Sequence, residues 1–242
     1  MSPAPKCCPQ EQESKILLAA AQCIEESSLL DFTMAGVARH AGMSMGSIYK
    51  HIHSKEDVLV ALATESFNQL YRVFSQIFRA PELTGPERLI AISLLDFTKV
   101  DAYPFTRHLE MMVGSDALVK RASLGWVSKK NAADRGIEAL FLEFLNGLHR
   151  SDELYPEGEV QVYLEQLQLA IWSCNVGHIQ VVLQTSARHD NEVAASLPFP
   201  LAQDNPHILN AQRLINSFHW REPLTAAGIS KAVQFLETQE FR

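Results

Sequence analysis

The stretch that decides the reading is FTMAGVARHAGMSMGSIYKHIHSK, residues 32–55 of a 242-residue chain. Its first half carries the marks of a short helix over 33–41. Thr33 stands where an N-cap hydroxyl accepts from an orphan backbone N–H, and Phe32 and Val37 are spaced as a hydrophobic staple across that cap. Met34, Val37, Ala38 and Ala41 recur at i, i+3, i+4 and i+7, which is one apolar face. Gly42 supplies the left-handed residue that ends such a helix. The second half repeats this logic over 44–51: Ser44 caps, Met43 and Ile48 staple, and Ile48 and Ile52 turn inward. Met45, Gly46, Ser47 and Lys50 are left to point outward. Two short helices joined through a glycine turn are the sequence form of a helix-turn-helix, whose second helix enters the major groove of DNA.

Charge supports that reading. Residues 32–55 contain no Asp or Glu, whereas Arg39, Lys50 and Lys55 are basic and His40, His51 and His53 can become so. Acids resume on both sides, with Glu25, Glu26 and Asp31 before and Glu56 and Asp57 after. An acid-free window suits a face turned toward a polyanion. The net charge of −7 does not oppose it, because the local field at the docking face matters more than the total. The competing reading is two capped helices in a bundle, with Gly42 a packing turn.

The run T-x-x-x-V-A-x-x-A-G-M-S-x-G-S-I-Y-x-H-I-x-S-K-E-x-V-L, beginning at Thr33, closely resembles the DNA-binding signature of the tetracycline-repressor (TetR) family. Thr33, Val37, Ala38, Ala41, Gly42, Ser44, Gly46, Ile48, Tyr49, His51, Lys55 and Leu59 fall on family positions, without gaps. Ile52 departs, standing where many members carry Phe, but it stays apolar. The resemblance is strong over 11–62 and elsewhere extends only to length, helicity and approximate helix number. It implies phosphate contacts from Tyr49, His51, Lys55 and Thr33, which fix register without reading sequence. Base reading then falls to Met45, Gly46, Ser47 and Lys50 on the helix capped by Ser44. Lys50 either donates to guanine or reaches only phosphate. The resemblance further implies a homodimeric repressor on a palindromic double-stranded operator, and an apolar or amphipathic small-molecule effector.

The rest of the chain reads as all-α. Apolar periodicity predicts helices at 11–28, from 54 onward, and near 86–100, 104–113, 116–124, 127–149, 159–187, 206–218 and 223–239. A loop is expected over 196–206. The three prolines in residues 1–10 suggest a disordered leader, followed by a DNA-binding domain over 11–58 and a ligand-sensing and dimerisation domain over 59–242. The helix at 159–187 is apolar over much of its circumference, as are the last two with Ile208, Leu209, Leu214, Ile215, Phe218, Ile229, Val233, Phe235 and Leu236, and the resemblance implies a dimer interface formed by late helices. Phe105, His108, Met111, Met112, Trp126, Phe141, Phe144 and Trp172 are candidate pocket residues, although such side chains at helical spacing more often build core.

Other classes fit less well. A hydrophobic share of 47% allows a substantial core, and the four cysteines form no C-x-x-C pair. Cys174 and His178 stand one helical turn apart, but without a second clustered pair the expectation is no metal site and no cofactor. No G-x-S-x-G elbow, P-loop, dinucleotide glycine fingerprint or H-E-x-x-H is expected, so the expectation is no enzyme and no catalytic residue. No apolar run approaches the ~18–20 residues that span a bilayer and no secretory leader is recognisable, which predicts a soluble cytoplasmic protein. A helical interaction protein that has lost DNA binding is the remaining alternative, and the acid-free face speaks against it.

Overall fold

The computed structural model describes residues 8–186 and 198–242. Among these the chain forms twelve α-helices and no strand, only an isolated antiparallel bridge between Leu154 and Trp220. The helices are α1 (Pro9–Glu26), α2 (Met34–Ala41), α3 (Met45–Ile48), α4 (Lys55–Phe78), α5 (Gly85–Ser93), α6 (Phe97–Val100), α7 (Thr106–Val113), α8 (Asp116–Val119), α9 (Leu124–Arg150), α10 (Val160–Ser186), α11 (Pro206–Asn216) and α12 (Ala226–Thr238). None is long and apolar enough to cross a membrane.

Several boundaries differ from the sequence expectation for local reasons. α1 starts at Pro9, inside the expected leader, because Pro9 opens its first turn and Glu11 reaches back to the Cys8 N–H at 3.0 Å. Proline at this position gives up a donor that would be orphaned anyway. Residues 1–7 lie outside the described part. The helix expected over 86–100 is two. Asp96 accepts from the Thr98 N–H and hydroxyl at 3.0 and 2.6 Å, capping a new start, while its own N–H donates to the Phe241 carbonyl. α3 is a single turn that continues as turn rather than helix through His51. Of the loop expected over 196–206, residues 198–205 are described and are non-helical.

The chain divides into two compact units, the first formed by Met1–Asn68 with Ala102–Asp134 and the second by Gln69–Asp101 with Arg135–Arg242. The first is built on one apolar cluster. Ile16, Leu17, Ala20 and Ile24 of α1 meet Val37, Ala38 and Ala41 of α2, Ile48, Ile52, and Val58, Leu59 and Leu62 of α4. Leu109 and Val113 of α7 and Trp126 of α9 complete it. Each of the Ile, Leu and Val side chains, once buried, contributes roughly 1.5–3 kcal/mol before entropy is counted.

The second unit packs around α5, where Leu89, Ile90, Leu94 and Leu95 at its end are fully buried. α11 and α12 both pack on α5, and α10 packs on α11. Phe78 stacks flat on Phe144 with ring centroids 4.2 Å apart and meets Phe141 edge-on. Gly85 lets α5 begin against Leu148, whose methyl would lie 2.7 Å from any Cβ placed there.

Candidate nucleic-acid interface

The helix-turn-helix forms as its caps dictate. The Thr33 hydroxyl accepts from the Gly36 N–H at 3.0 Å. Gly42, at φ 61°, closes α2 by donating to the Arg39 carbonyl, and Met43 donates to that of Ala38. Ser44 caps α3, its hydroxyl accepting from the Ser47 N–H at 3.2 Å and lying 2.9 Å from the Ser47 hydroxyl. Ile48 and Ile52 are fully buried beneath. Gly36 sits where α2 crosses α1, so that an added Cβ would lie 2.7 Å from the Cys23 sulfur.

Of the expected base readers, Gly46 and Lys50 are exposed and Ser47 is half-buried. Met45 is half-buried too and packs against the first unit's core rather than standing free. Thr33 and Ser44 are exposed but both hydroxyls already serve as caps. Tyr49 is 43% exposed at the end of α3.

The other two expected phosphate contacts are engaged within the protein. His51 Nε2 donates to the Gln12 side-chain carbonyl at 2.9 Å, and its Nδ1 lies 3.8 Å from the Glu13 carboxylate. The Lys55 ammonium donates to the Leu30 carbonyl at 2.9 Å and lies 4.6 Å from the centre of the Phe32 ring. His40 is bound through both nitrogens, to the Gly36 carbonyl at 2.9 Å and Glu26 at 3.0 Å. The Gly36 carbonyl, and after it Glu26, raise its pKa above the ordinary imidazole value. Arg39 and Lys50 remain exposed cations of the acid-free window.

Contrary to the expectation that the chain carries no such elbow, residues 42–46, GMSMG, spell the G-x-S-x-G of a hydrolase nucleophile elbow. That motif works at the end of a strand, with its serine exposed to a histidine base. Here Ser44 follows a helix and its hydroxyl is committed to capping α3.

The candidate pocket residues fall in both compact units. In the first unit, Trp126 belongs to the buried cluster, Phe105 and Met112 pack against it, and His108 and Met111 are exposed. In the second, Phe141 and Phe144 are buried against Phe78, while Trp172 is 54% exposed. The Cys174 sulfur lies 4.0 Å from His207 Nδ1, and the His207 ring stacks on His178 with centroids 4.0 Å apart. Among the described residues, no group of three or more His, Cys, Asp or Glu is placed to hold a metal ion.

Sequence reasoning missed the residues that meet the connector between α3 and α4. Trp126 Nε1 donates to the His51 carbonyl at 3.3 Å, the Ser123 N–H donates to Asp57 at 2.6 Å, and Arg121 pairs with Glu56 at 3.0 Å. Only Asp57 had a local signal, its position three residues after Ser54, whose hydroxyl accepts from the Asp57 N–H.

Comparison with solved structures places the fold. The chain superposes on the reduced form of Escherichia coli NemR with a TM-score of 0.53 at 16% identity, covering 88% of this chain and 100% of that one. Salmonella enterica GusR gives the same score and identity over 97% of this chain and 98% of its own. No curated protein matches the sequence. Residues 16–62 match the family model of bacterial regulatory proteins of the tetR family. This segment holds α2, the glycine turn and α3, with most of α1 and the start of α4. With the two caps, the left-handed Gly42 and the exposed acid-free face all in place on it, residues 16–62 form a helix-turn-helix domain of the tetR family of bacterial regulatory proteins.

Proposed function

We propose that the chain is a DNA-binding transcriptional regulator, a ligand-responsive homodimeric repressor working in the cytoplasm on a palindromic operator. One helix-turn-helix reads one half-site, so a palindrome calls for two copies related by a two-fold axis. The observation that carries the reading is an apolar stripe on α10. Val162, Leu169, Trp172 and Val176 share one side of the helix, and each is between 45% and 60% exposed. α10's opposite face, with Tyr163, Leu164, Leu167 and Ile171, is already buried in the second unit. Ile208, Ile215, Ile229 and Leu236 of the last two helices are consumed in that unit's own core. The apolar surface available to a second copy is therefore on α10, with Leu209 of α11 also exposed.

Phosphate contacts come from Tyr49, Lys50 and, once freed from their internal partners, Lys55 and His51. Thr33 and Ser44 present helix N-termini. Gly46, Ser47, Met45 and Lys50 read bases. An apolar or amphipathic effector binds one spacing of the two reading heads better than the other, shifts the population toward it and lowers operator affinity.

The test is selection of bound fragments from the source genome, followed by affinity measured across salt. A shared palindrome with a steep salt dependence supports the proposal. A folded protein that enriches no DNA at low salt overturns it.

A further inference from the structure

We propose that the first turn of α9, with the residues just before it, is a clamp that positions the α3–α4 connector for DNA reading, with Trp126 its central positioning residue. The inference rests on the DNA-binding role of this unit, and all of its contacts lie within the unit.

The connector spans residues 49–54, between two helices that must be aimed together. Within the connector itself, His51 and Ile52 donate back to the Ile48 carbonyl, a single turn of bonding. Tyr49 donates to the Met45 carbonyl, and Ser54 accepts from the Asp57 and Val58 N–H groups, while the remaining bonds bring in the start of α9. Trp126 Nε1 donates to the His51 carbonyl. The Asp57 carboxylate accepts from the His53 N–H at 3.0 Å with one oxygen and from the Ser123 N–H at 2.6 Å with the other. One buried carboxylate thus joins the connector to the residue that starts α9. Asp57 is fully buried, and a buried carboxylate persists only where such donors satisfy it. Arg121 adds its pair with Glu56 on the surface.

A second layer holds the clamp from α1. The Lys129 ammonium lies 3.8 Å from the Trp126 ring centre and 3.3 Å from Glu13, whose other oxygen faces His51. The indole is therefore fixed on its edge by the His51 carbonyl and on its face by a cation. His51 is held on both sides, by Trp126 at its carbonyl and by Gln12 and Glu13 at its ring. These bonds need no indole or carboxylate for hydrophobic burial alone; a leucine and an alanine would fill the core. What they add is direction, setting where Tyr49, Lys50 and His51 stand relative to α4.

The same α9, continuous to Arg150, supplies Leu140, Phe141, Phe144 and Leu145 to the core of the second unit.

The experiment uses the full chain with Trp126→Phe, which keeps an aromatic ring but loses the donor together with the smaller ring of the indole. Trp220→Phe serves as the matched control, since it removes another indole bond to a carbonyl, that to Ile215 at 2.7 Å. Asp57→Asn is the second variant, placing an amide donor against one of two N–H groups. Hydrogen exchange of the connector amides rules on the clamp without DNA. Exchange accelerated by about five- to tenfold in Trp126→Phe, the loss of roughly one hydrogen bond, and unchanged in Trp220→Phe, is expected. Unchanged exchange in both Trp126→Phe and Asp57→Asn overturns the clamp.

Binding to the selected operator then tests positioning. Operator affinity falling about tenfold, while affinity for random DNA changes less than about twofold, is the expected pattern, because random binding rests on charge and tolerates misaimed helices. Equal losses on both DNAs, or none, overturn the positioning role. A wild-type protein that binds neither DNA refutes the DNA-binding role, and the exchange result still decides the clamp.

Discussion

Thr33 shows what a single residue contributes and how it can be read. Its hydroxyl serves the Gly36 N–H, so Thr33→Ala is expected to cost ~1 kcal/mol of stability, seen as a lowered denaturation midpoint. Gly36 is less forgiving. A methyl there lies 2.7 Å from the Cys23 sulfur and 3.2 Å from the Thr33 hydroxyl, and Gly36→Ala should destabilise by roughly 1–3 kcal/mol through overpacking. Adding Cys23→Ala should recover part of that loss; no recovery would argue that the strain lies elsewhere. The caps were legible because their partners are three residues away. His51 and Lys55 were not, because theirs are 39 and 25 residues away, and no local pattern announces them. His207 was passed over for the same reason. Burial, and then the neighbouring His178, lower its pKa from 6.5 to about 4. Burial lowers that of His178 as well and raises that of Cys174. The unfolded chain therefore binds more protons than the folded one between these values. Stability from His207 is complete above about pH 6.5 and is lost as pH falls toward 4. Denaturant titrations between pH 7 and 4.5 should show a decline that His207→Leu flattens; an unchanged slope would assign the decline to other groups.

At the scale of the element, periodicity located the helices well and their faces unevenly. α2 has one apolar side and its orientation followed from sequence. α10 is apolar nearly all round, so the pattern could not say which side packs inward. Only the structure separates Leu164, Leu167 and Ile171 inside from Leu169, Trp172 and Val176 outside. The last two helices look apolar because both pack on α5. Leu169→Glu combined with Trp172→Glu should leave helicity intact and convert a dimer to monomers in sedimentation. A dimer that survives both charges would remove α10 from the interface. The breaks at Asp96 and after Ile48 were hidden by apolar residues on both sides of them, where capping geometry outweighed periodicity.

At the scale of the molecule, the fold class was readable from helical periodicity and the small share of glycine and proline. The make-up of the compact units was not, since their cores are closed by residues distant along the chain. Leu109, Val113 and Trp126 share a buried cluster with Ile16, Val37 and Ile48. A fragment ending at residue 68 lacks all three and should show no cooperative thermal transition; one melting at the temperature of the intact protein would contradict this. The same discontinuity governs the order of events at synthesis. At about 5–20 residues per second, the roughly 66 residues from Asn68 to Asp134 take some 3–13 s to add. The DNA-reading helices thus leave the ribosome seconds before the helix that completes their core. A message cut short in that interval yields a reading head that cannot hold its shape, and so does not compete with finished protein for operator sites.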